Sequence, residues 1–363
     1  MKHVEQWFAE ALREREADGL LRRRHAPLSG VAFHTNDYLG LAQEGDFGVR
    51  GSRAVVGDSV AVRSLEHELA AWVGLEDALI FSSGYAANLA VMQAVVRAGD
   101  RVVSDASNHA SIVDGLRLAK ADVVIARHLD LGAIAAALSD RRPHQRAWMV
   151  TESYFSMDAD RPAMGALAAL CDTSDAGLIV DEAHALGAFG PKGRGLCAAE
   201  EVKPNVLIGT LGKAIGGVGG FVAGSSWLTD LLWNRGRAFV FSTAIGDATA
   251  VALGDLVART RSADGARATL EKNAKLIRAC LAEANVRCLG SGHIVPVWVG
   301  DEVRAANMAE WLGTRGLALY PMRYPTVARG QARLRLAINA CMTPDQLVWA
   351  AGLIREAFAC FGL

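Results

Sequence analysis

Between residues 60 and 225 the apolar positions gather into short runs, and between the runs they recur every three to four residues. The runs predict strands at Ala78–Phe81, Arg101–Ser104, Val123–Ile125, Ala147–Thr151, Leu178–Asp181, Val206–Gly209 and Gly220–Ala223. Helical spacing fills most of the gaps, as at Leu65–Val73 and Ala86–Val96. Strands that alternate with helices predict an α/β fold whose sheet is mostly parallel and covered on both faces. Ligands of such sheets collect at the carboxyl ends of the strands. Thr151-Glu152, Asp181 and Thr210 all follow strands, so they are expected on one rim.

The flanks read differently. Residues 3–24 carry Val4, Trp7, Phe8, Leu12 and Leu20 among Glu and Arg and end in Arg22-Arg23-Arg24, which predicts an amphipathic helical arm. Residues 247–282 predict one long helical segment. After it, strands at Ile294–Val299, Leu317–Leu319 and Arg333–Ile338 alternate with helices at 302–313 and 344–360. The expected division is an arm over 1–34, a large domain over 35–245 and a small α+β domain over 246–363.

Composition narrows the class. The chain of 363 residues is 51% hydrophobic and 21% charged, enough for a sizeable core in more than one domain. A net charge of −1, from 38 basic and 39 acidic residues, argues against a general nucleic-acid binder. No apolar run reaches membrane-spanning length, and no apolar signal segment opens the chain. The six cysteines form no Cys-x-x-Cys pair. A cytoplasmic protein with reduced thiols and no metal site is expected.

Two stretches carry chemistry. Thr210-Leu211-Gly212-Lys213-Ala214-Ile215-Gly216-Gly217 sets one lysine in a glycine-rich bend after an apolar run. Val180-Asp181-Glu182-Ala183-His184 ends another run with a carboxylate and an imidazole three residues apart. An amine able to form a Schiff base, an acid to hold a pyridinium nitrogen and a donor for a phenolic oxygen are what pyridoxal phosphate chemistry requires. A nucleotide P-loop is excluded, because Leu207 stands where its first glycine belongs and Ala214 replaces the Ser/Thr. The chain has no Gly-x-Ser-x-Gly and no His-Glu-x-x-His. Ser83-Gly84-Tyr85-Ala86 sits between a strand and a helix, where backbone N–H groups can cradle phosphate; an ordinary βα turn fits it equally well. His109 could stack on a ring, or be a polar group satisfied locally.

Taken in order, these motifs resemble the α-oxoamine synthases, fold-type-I pyridoxal enzymes that condense an amino acid with an acyl thioester and release carbon dioxide. The resemblance runs from Arg22 to Arg335. It comprises Thr35-Asn36-Asp37-Tyr38-Leu39-Gly40-Leu41, Gly51-Ser52-Arg53, Ser83 to Asn88, Asn108-His109-Ala110-Ser111, Phe155-Ser156-Met157-Asp158, Asp181 to His184, Thr210 to Lys213, Phe241-Ser242-Thr243, Pro325-Thr326-Val327 and Arg333-Leu334-Arg335. It implies a large domain with a mostly parallel seven-stranded sheet, a small C-terminal domain and a homodimer.

The resemblance also implies roles. Lys213 would carry the cofactor, with Asp181 on the pyridinium, His184 on the phenolic oxygen, His109 on the ring face and Ser156 near the ring oxygen. Gly84, Tyr85 and Thr210 would bind phosphate, joined by Ser242 and Thr243 of a second subunit. Arg335 would grip the amino-acid carboxylate, and Arg22 and Thr326 would line the acyl side. L-Alanine with pimeloyl-CoA or a pimeloyl carrier protein, a step towards biotin, is the reaction expected. Glycine with acetyl-CoA, serine with a long acyl-CoA, an aminotransferase and a non-catalytic cofactor-binding protein are the alternatives. Two departures stand out. Only Ala42 to Arg50 separate the first two motifs, which bears on the acyl channel, and Ala337 to Cys341 lacks a histidine that relatives often carry.

Overall fold

Strands covered by helices on both faces are largely apolar, as the central strands predicted above are. The computed structural model describes residues 2–24 and 51–363. The motif at Thr35–Leu41 and the short 42–50 segment lie outside the described residues. Contacts divide the chain into two units, 1–153 with 162–262, and 154–161 with 263–363.

The first unit holds one sheet of seven strands: β1 Asp77–Phe81, β2 Arg101–Asp105, β3 Asp122–Ala126, β4 Ala147–Glu152, β5 Ala176–Asp181, β6 Val206–Thr210 and β7 Gly220–Gly224. Their order is β1-β7-β6-β5-β4-β2-β3. The pairs β2–β3, β2–β4, β4–β5 and β5–β6 are parallel, whereas β7 runs antiparallel to both β6 and β1. All seven expected strands are present. Parallel register sets Glu152 opposite Asp181 and Asp181 opposite Ile208, so β4, β5 and β6 end on one rim.

Helix starts and stops follow side-chain chemistry. Ser59 caps the Val60–Val73 helix by accepting from Val62 N, and Gly74 closes it in the left-handed region. Ser83 caps the Gly84–Val95 helix by accepting from Ala86 N. That helix buries Ala87, Ala90, Val91 and Met92 against Leu79, Val150 and Ile208 of the sheet. The N-terminal helix, Lys2–Ala17, adds Val4 and Phe8 to the same cluster, where Phe8 stacks on Trp148 at 6.1 Å between centroids. It is shorter than the 3–24 expected, because the chain turns at Gly19 with φ of 68°.

The segment 247–282 is two helices, Asp247–Arg261 and Asp264–Glu283. The first buries Ala250, Leu253 and Val257 against Val62, Leu65 and Leu69. It therefore belongs with the large sheet, although the sequence reading started the small domain at 246.

The second unit carries the antiparallel sheet β8 Ile294–Gly300, β9 Tyr320–Met322 and β10 Ala332–Ala337, in the order β8-β10-β9. The strand expected at 317–319 forms three residues later. Leu317 N is still bonded to Leu312 O of the preceding helix, and Gly316 takes φ of 90°. The core joins Val295, Val297 and Leu334 to Ile277, Met308, Leu312 and Ile354 of the covering helices.

Candidate active site

Lys213 lies in the loop 211–219, which must reverse the chain between β6 and antiparallel β7. Buried Leu211 and Ile215 pin this loop. Leu211 N donates to Gly219 O at 3.0 Å, Gly217 N to Leu211 O at 2.7 Å and Gly216 N to Lys213 O at 3.0 Å. Gly216 turns with φ of 82°, a conformation costly for a residue with a Cβ. Lys213 is exposed at this bend, and its charge reaches His109 and Glu152.

At the end of β5, Asp181 is buried with both oxygens held. Asn88 Nδ2 donates to Oδ2 at 2.7 Å and Ala183 N to Oδ1 at 2.8 Å. Glu182 is fully buried and accepts from Leu196 N at 3.0 Å and Cys197 N at 2.7 Å. It thereby holds the start of the helix that follows the glycine-rich stretch 187–195. Gly195 has φ of 90°, and a Cβ there would stand 1.7 Å from Glu182 Oε2. His184 follows, half-buried, in the turn after β5.

His109 caps the Ala110–Ala119 helix, and Tyr85 meets its ring edge-on at 6.5 Å. Tyr85 is anchored in turn by its hydroxyl, which donates to Asp114 at 2.5 Å. His109 Nδ1 lies 2.8 Å from Ser111 Oγ, and its backbone N–H donates to Glu152 Oε1 at 2.7 Å. Burial pushes the His109 imidazole below its ordinary range, the Asp181 carboxylate opposing. Burial, and then the Asp181 charge, hold the Glu152 carboxyl well above the usual carboxylate range.

Ser83 caps the third residue of its helix, so the amides of Gly84 and Tyr85 remain at the open N-terminal end, where an anion is favoured. Thr210 adjoins them: a Cβ on Gly84 would meet Thr210 Cβ at 3.4 Å. Gly51-Ser52-Arg53 meets the segment carrying Ser242 and Thr243, through Ser52 Oγ donating to Val240 O at 2.6 Å and Ala244 N to Gly51 O at 3.1 Å. Arg53 lines a small cavity with Ser82, Ser242 and Thr243. Arg22 is exposed and ties its guanidinium to Asn234 O at 3.1 Å.

Ser156, Thr326 and Arg335 belong to the second unit. The two arginines of β10 differ. Buried Arg333 is spent on Asp158 and on Met157 O. Half-buried Arg335 gives Nε to Ser156 O at 2.9 Å and has no other hydrogen-bond partner among the described residues, leaving its terminal nitrogens to an anion. Tyr154 donates to Ser291 O at 2.6 Å, and its ring lies 5.2 Å from that of His293. Burial, with Arg335 second, pushes His293 down to about 4. Thr326 is exposed beside β9.

Sequence reasoning singled out neither Ser111 nor Glu152 as functional, and it quoted Asn88 only as the end of a motif. Their signal was three-dimensional: Asn88 lies 93 positions from its partner Asp181.

These residues fit pyridoxal phosphate: a lysine amine, a carboxylate held at both oxygens, and open helix amides for a phosphate. The family model "Aminotransferase class I and II" matches residues 30–354. The 8-amino-7-oxononanoate synthase of Mycolicibacterium smegmatis is 38% identical, over 97% of this chain and 96% of that protein. A serine palmitoyltransferase from S. paucimobilis, solved with a bound PLP–myriocin adduct, superposes with a TM-score of 0.84 at 26% identity, over 98% and 97% of the two chains. The 8-amino-7-oxononanoate synthase from Francisella tularensis superposes with a TM-score of 0.75 at 25% identity, over 91% and 98%. The chain belongs to the aminotransferase class I and II family of pyridoxal-phosphate enzymes, within its α-oxoamine synthase group.

Proposed function

We propose that this protein condenses L-alanine with a pimeloyl thioester, giving 8-amino-7-oxononanoate, carbon dioxide and free thiol. The observation that carries the chemistry is Asp181, buried and fixed at both oxygens on the same rim as the Lys213 loop. The substrates come from the relatives' names, among them synthases 33–38% identical to this chain.

Bound pyridoxal phosphate supplies an electron sink for the bonds at the amino acid's Cα. Lys213 would hold the cofactor, and its Nζ would move the Cα proton. Asp181 keeps a proton on the ring nitrogen, His184 donates to the phenolic oxygen and His109 covers a ring face. The resemblance would give Ser156 to the ring oxygen, and Gly84, Tyr85 and Thr210 would bind the phosphate. Arg335 holds the alanine carboxylate with its terminal nitrogens, a planar match that Lys lacks. Arg22 and Thr326 serve the acyl half.

The working form is a homodimer in which Ser242 and Thr243 complete the partner's phosphate site. Exposed apolar side chains support this, with Phe241 70% and Val60 86% accessible in the single chain. No described helix is long and apolar enough to cross a membrane. Six cysteines without a Cys-x-x-Cys pair suit a reducing, cytoplasmic setting.

Serine with a long acyl thioester is the second reading, favoured by the TM-score of 0.84 to serine palmitoyltransferase. Thiol release separates the two when alanine, glycine and serine are each paired with pimeloyl-CoA, pimeloyl carrier protein, acetyl-CoA and palmitoyl-CoA. Alanine with a pimeloyl thioester should lead in kcat/KM. A pair that exceeds it by about tenfold, roughly 1.4 kcal/mol, replaces the substrate assignment.

A further inference from the structure

We propose that Asn88 is a positioning residue that joins Asp181 to His109 through Ser111, and that this chain holds His109 as the tautomer with its proton on Nε2. The inference rests on the reading that Asp181 and His109 both contact the cofactor. Asn88 and Ser111 are buried, at 2% and 0% exposure.

The hydrogens run in one direction. Asn88 Nδ2 has two hydrogens and two acceptors, Asp181 Oδ2 at 2.7 Å and Ser111 Oγ at 3.0 Å. A flipped amide would set its oxygen against the Asp181 carboxylate, acceptor to acceptor, so one orientation survives. Ser111 Oγ accepts from Asn88 and has its own hydrogen left for His109 Nδ1, 2.8 Å away. The backbone N–H of Ser111 points to the same Nδ1 at 3.3 Å. With Nδ1 accepting from both, the imidazole proton belongs on Nε2. Glu152 grips the His109 amide at 2.7 Å, so the imidazole cannot drift from the chain.

Asn88 Oδ1 is buried without a partner. A side chain present only for packing would gain nothing from an amide in that state; the site uses its two N–H groups. Burial, which disfavours the imidazolium, agrees with a neutral His109. Protonation at Nδ1 would turn the Ser111 hydroxyl hydrogen away and set the Ser111 N–H against another donor. Charge balance at Asp181 and ring contact at His109 are therefore one coupled property.

The test is a double-mutant cycle on pyridoxal phosphate affinity, measured by titrating apoprotein, with histidine ¹⁵N NMR of the holoenzyme beside it. Asn88→Ala and His109→Ala should each weaken binding by about tenfold or more, and the double variant should fall well short of the product. Ser111→Ala should remove most of that coupling, and it supplies the same cycle if Asn88→Ala does not fold by cofactor-free thermal melting. Effects that multiply within about twofold overturn the proposal. So does an NMR spectrum with the His109 proton on Nδ1. Asp181→Asn is the control: if it leaves affinity unchanged, the site assignment itself fails.

Discussion

Glu152 and Asp181 face each other in register across the parallel pair β4–β5, both buried, and burial, with the Asp181 charge second, holds the Glu152 carboxyl well above the usual carboxylate range. Two buried carboxylates so close cannot both ionise cheaply. Glu152 lies against the backbone of His109 and within reach of the Lys213 charge, whereas Asp181 is held by donors at both oxygens. Donors at both of its oxygens suit Asp181 to the proposed pairing with a pyridinium nitrogen.

Asp181→Asn should keep the fold and lose most turnover. An amide cannot balance a pyridinium, and the loss should be roughly 2–5 kcal/mol of transition-state stabilisation. Steady-state kcat of the cofactor-saturated variant measures it; near-normal turnover refutes the role.

Borohydride should fix the cofactor to a peptide containing Lys213, and Lys213→Ala should abolish that attachment. Peptide mapping by mass spectrometry decides, and a label on another lysine removes Lys213 from its assigned place.

Arg335→Ala should weaken alanine binding by about 2–4 kcal/mol, because the substrate carboxylate loses its charge-assisted pair with a half-buried guanidinium. The acyl thioester KM should change far less. Spectral titration with alanine checks the first part, and equal effects on both substrates would contradict it.

Glu182→Ala should cost stability without touching the cofactor. It strands the amides of Leu196 and Cys197, at about 1–3 kcal/mol for each group left unsatisfied. Urea unfolding of the apoprotein gives the number, and an unchanged midpoint argues that water replaces the carboxylate.

His293 should make the fold's stability fall with acid. Its folded value near 4 lies below the ordinary 6.5, so its contribution is complete above pH 6.5 and is lost as pH falls towards 4. At about 1.4 kcal/mol per unit the stake is on the order of 3 kcal/mol. His293→Gln should flatten stability over that window, as read by thermal melting at a series of pH values; an unchanged slope assigns the acid sensitivity elsewhere.

The large sheet was legible because strands buried on both faces leave unbroken apolar runs, and because Ser59, Ser83 and Gly74 mark helix ends in plain chemistry. Lys213, Asp181 and Gly84 were legible because each follows such a run. The direction of β7 was not. Antiparallel pairing depends on the loop 211–219 being a reversal, and its glycines also suit a ligand-binding bend. The break between Arg261 and Asp264 also escaped notice, since both helices share one apolar spacing and no proline separates them. Asn88, Ser111 and Glu152 could not be read as a group, because only the packing of the Gly84–Val95 and Ala110–Ala119 helices over the rim brings them together.

The short stretch Tyr154–Arg161 belongs with the C-terminal unit, bonded through Arg333 and Tyr154 to residues more than a hundred positions later. A ribosome releases that stretch long before its companions exist. The second unit is thus assembled from two pieces that are made at different times, and it cannot be completed until the last strand and helix have left the exit tunnel. No single cut in the chain, including one at residue 262, frees it as an independent module.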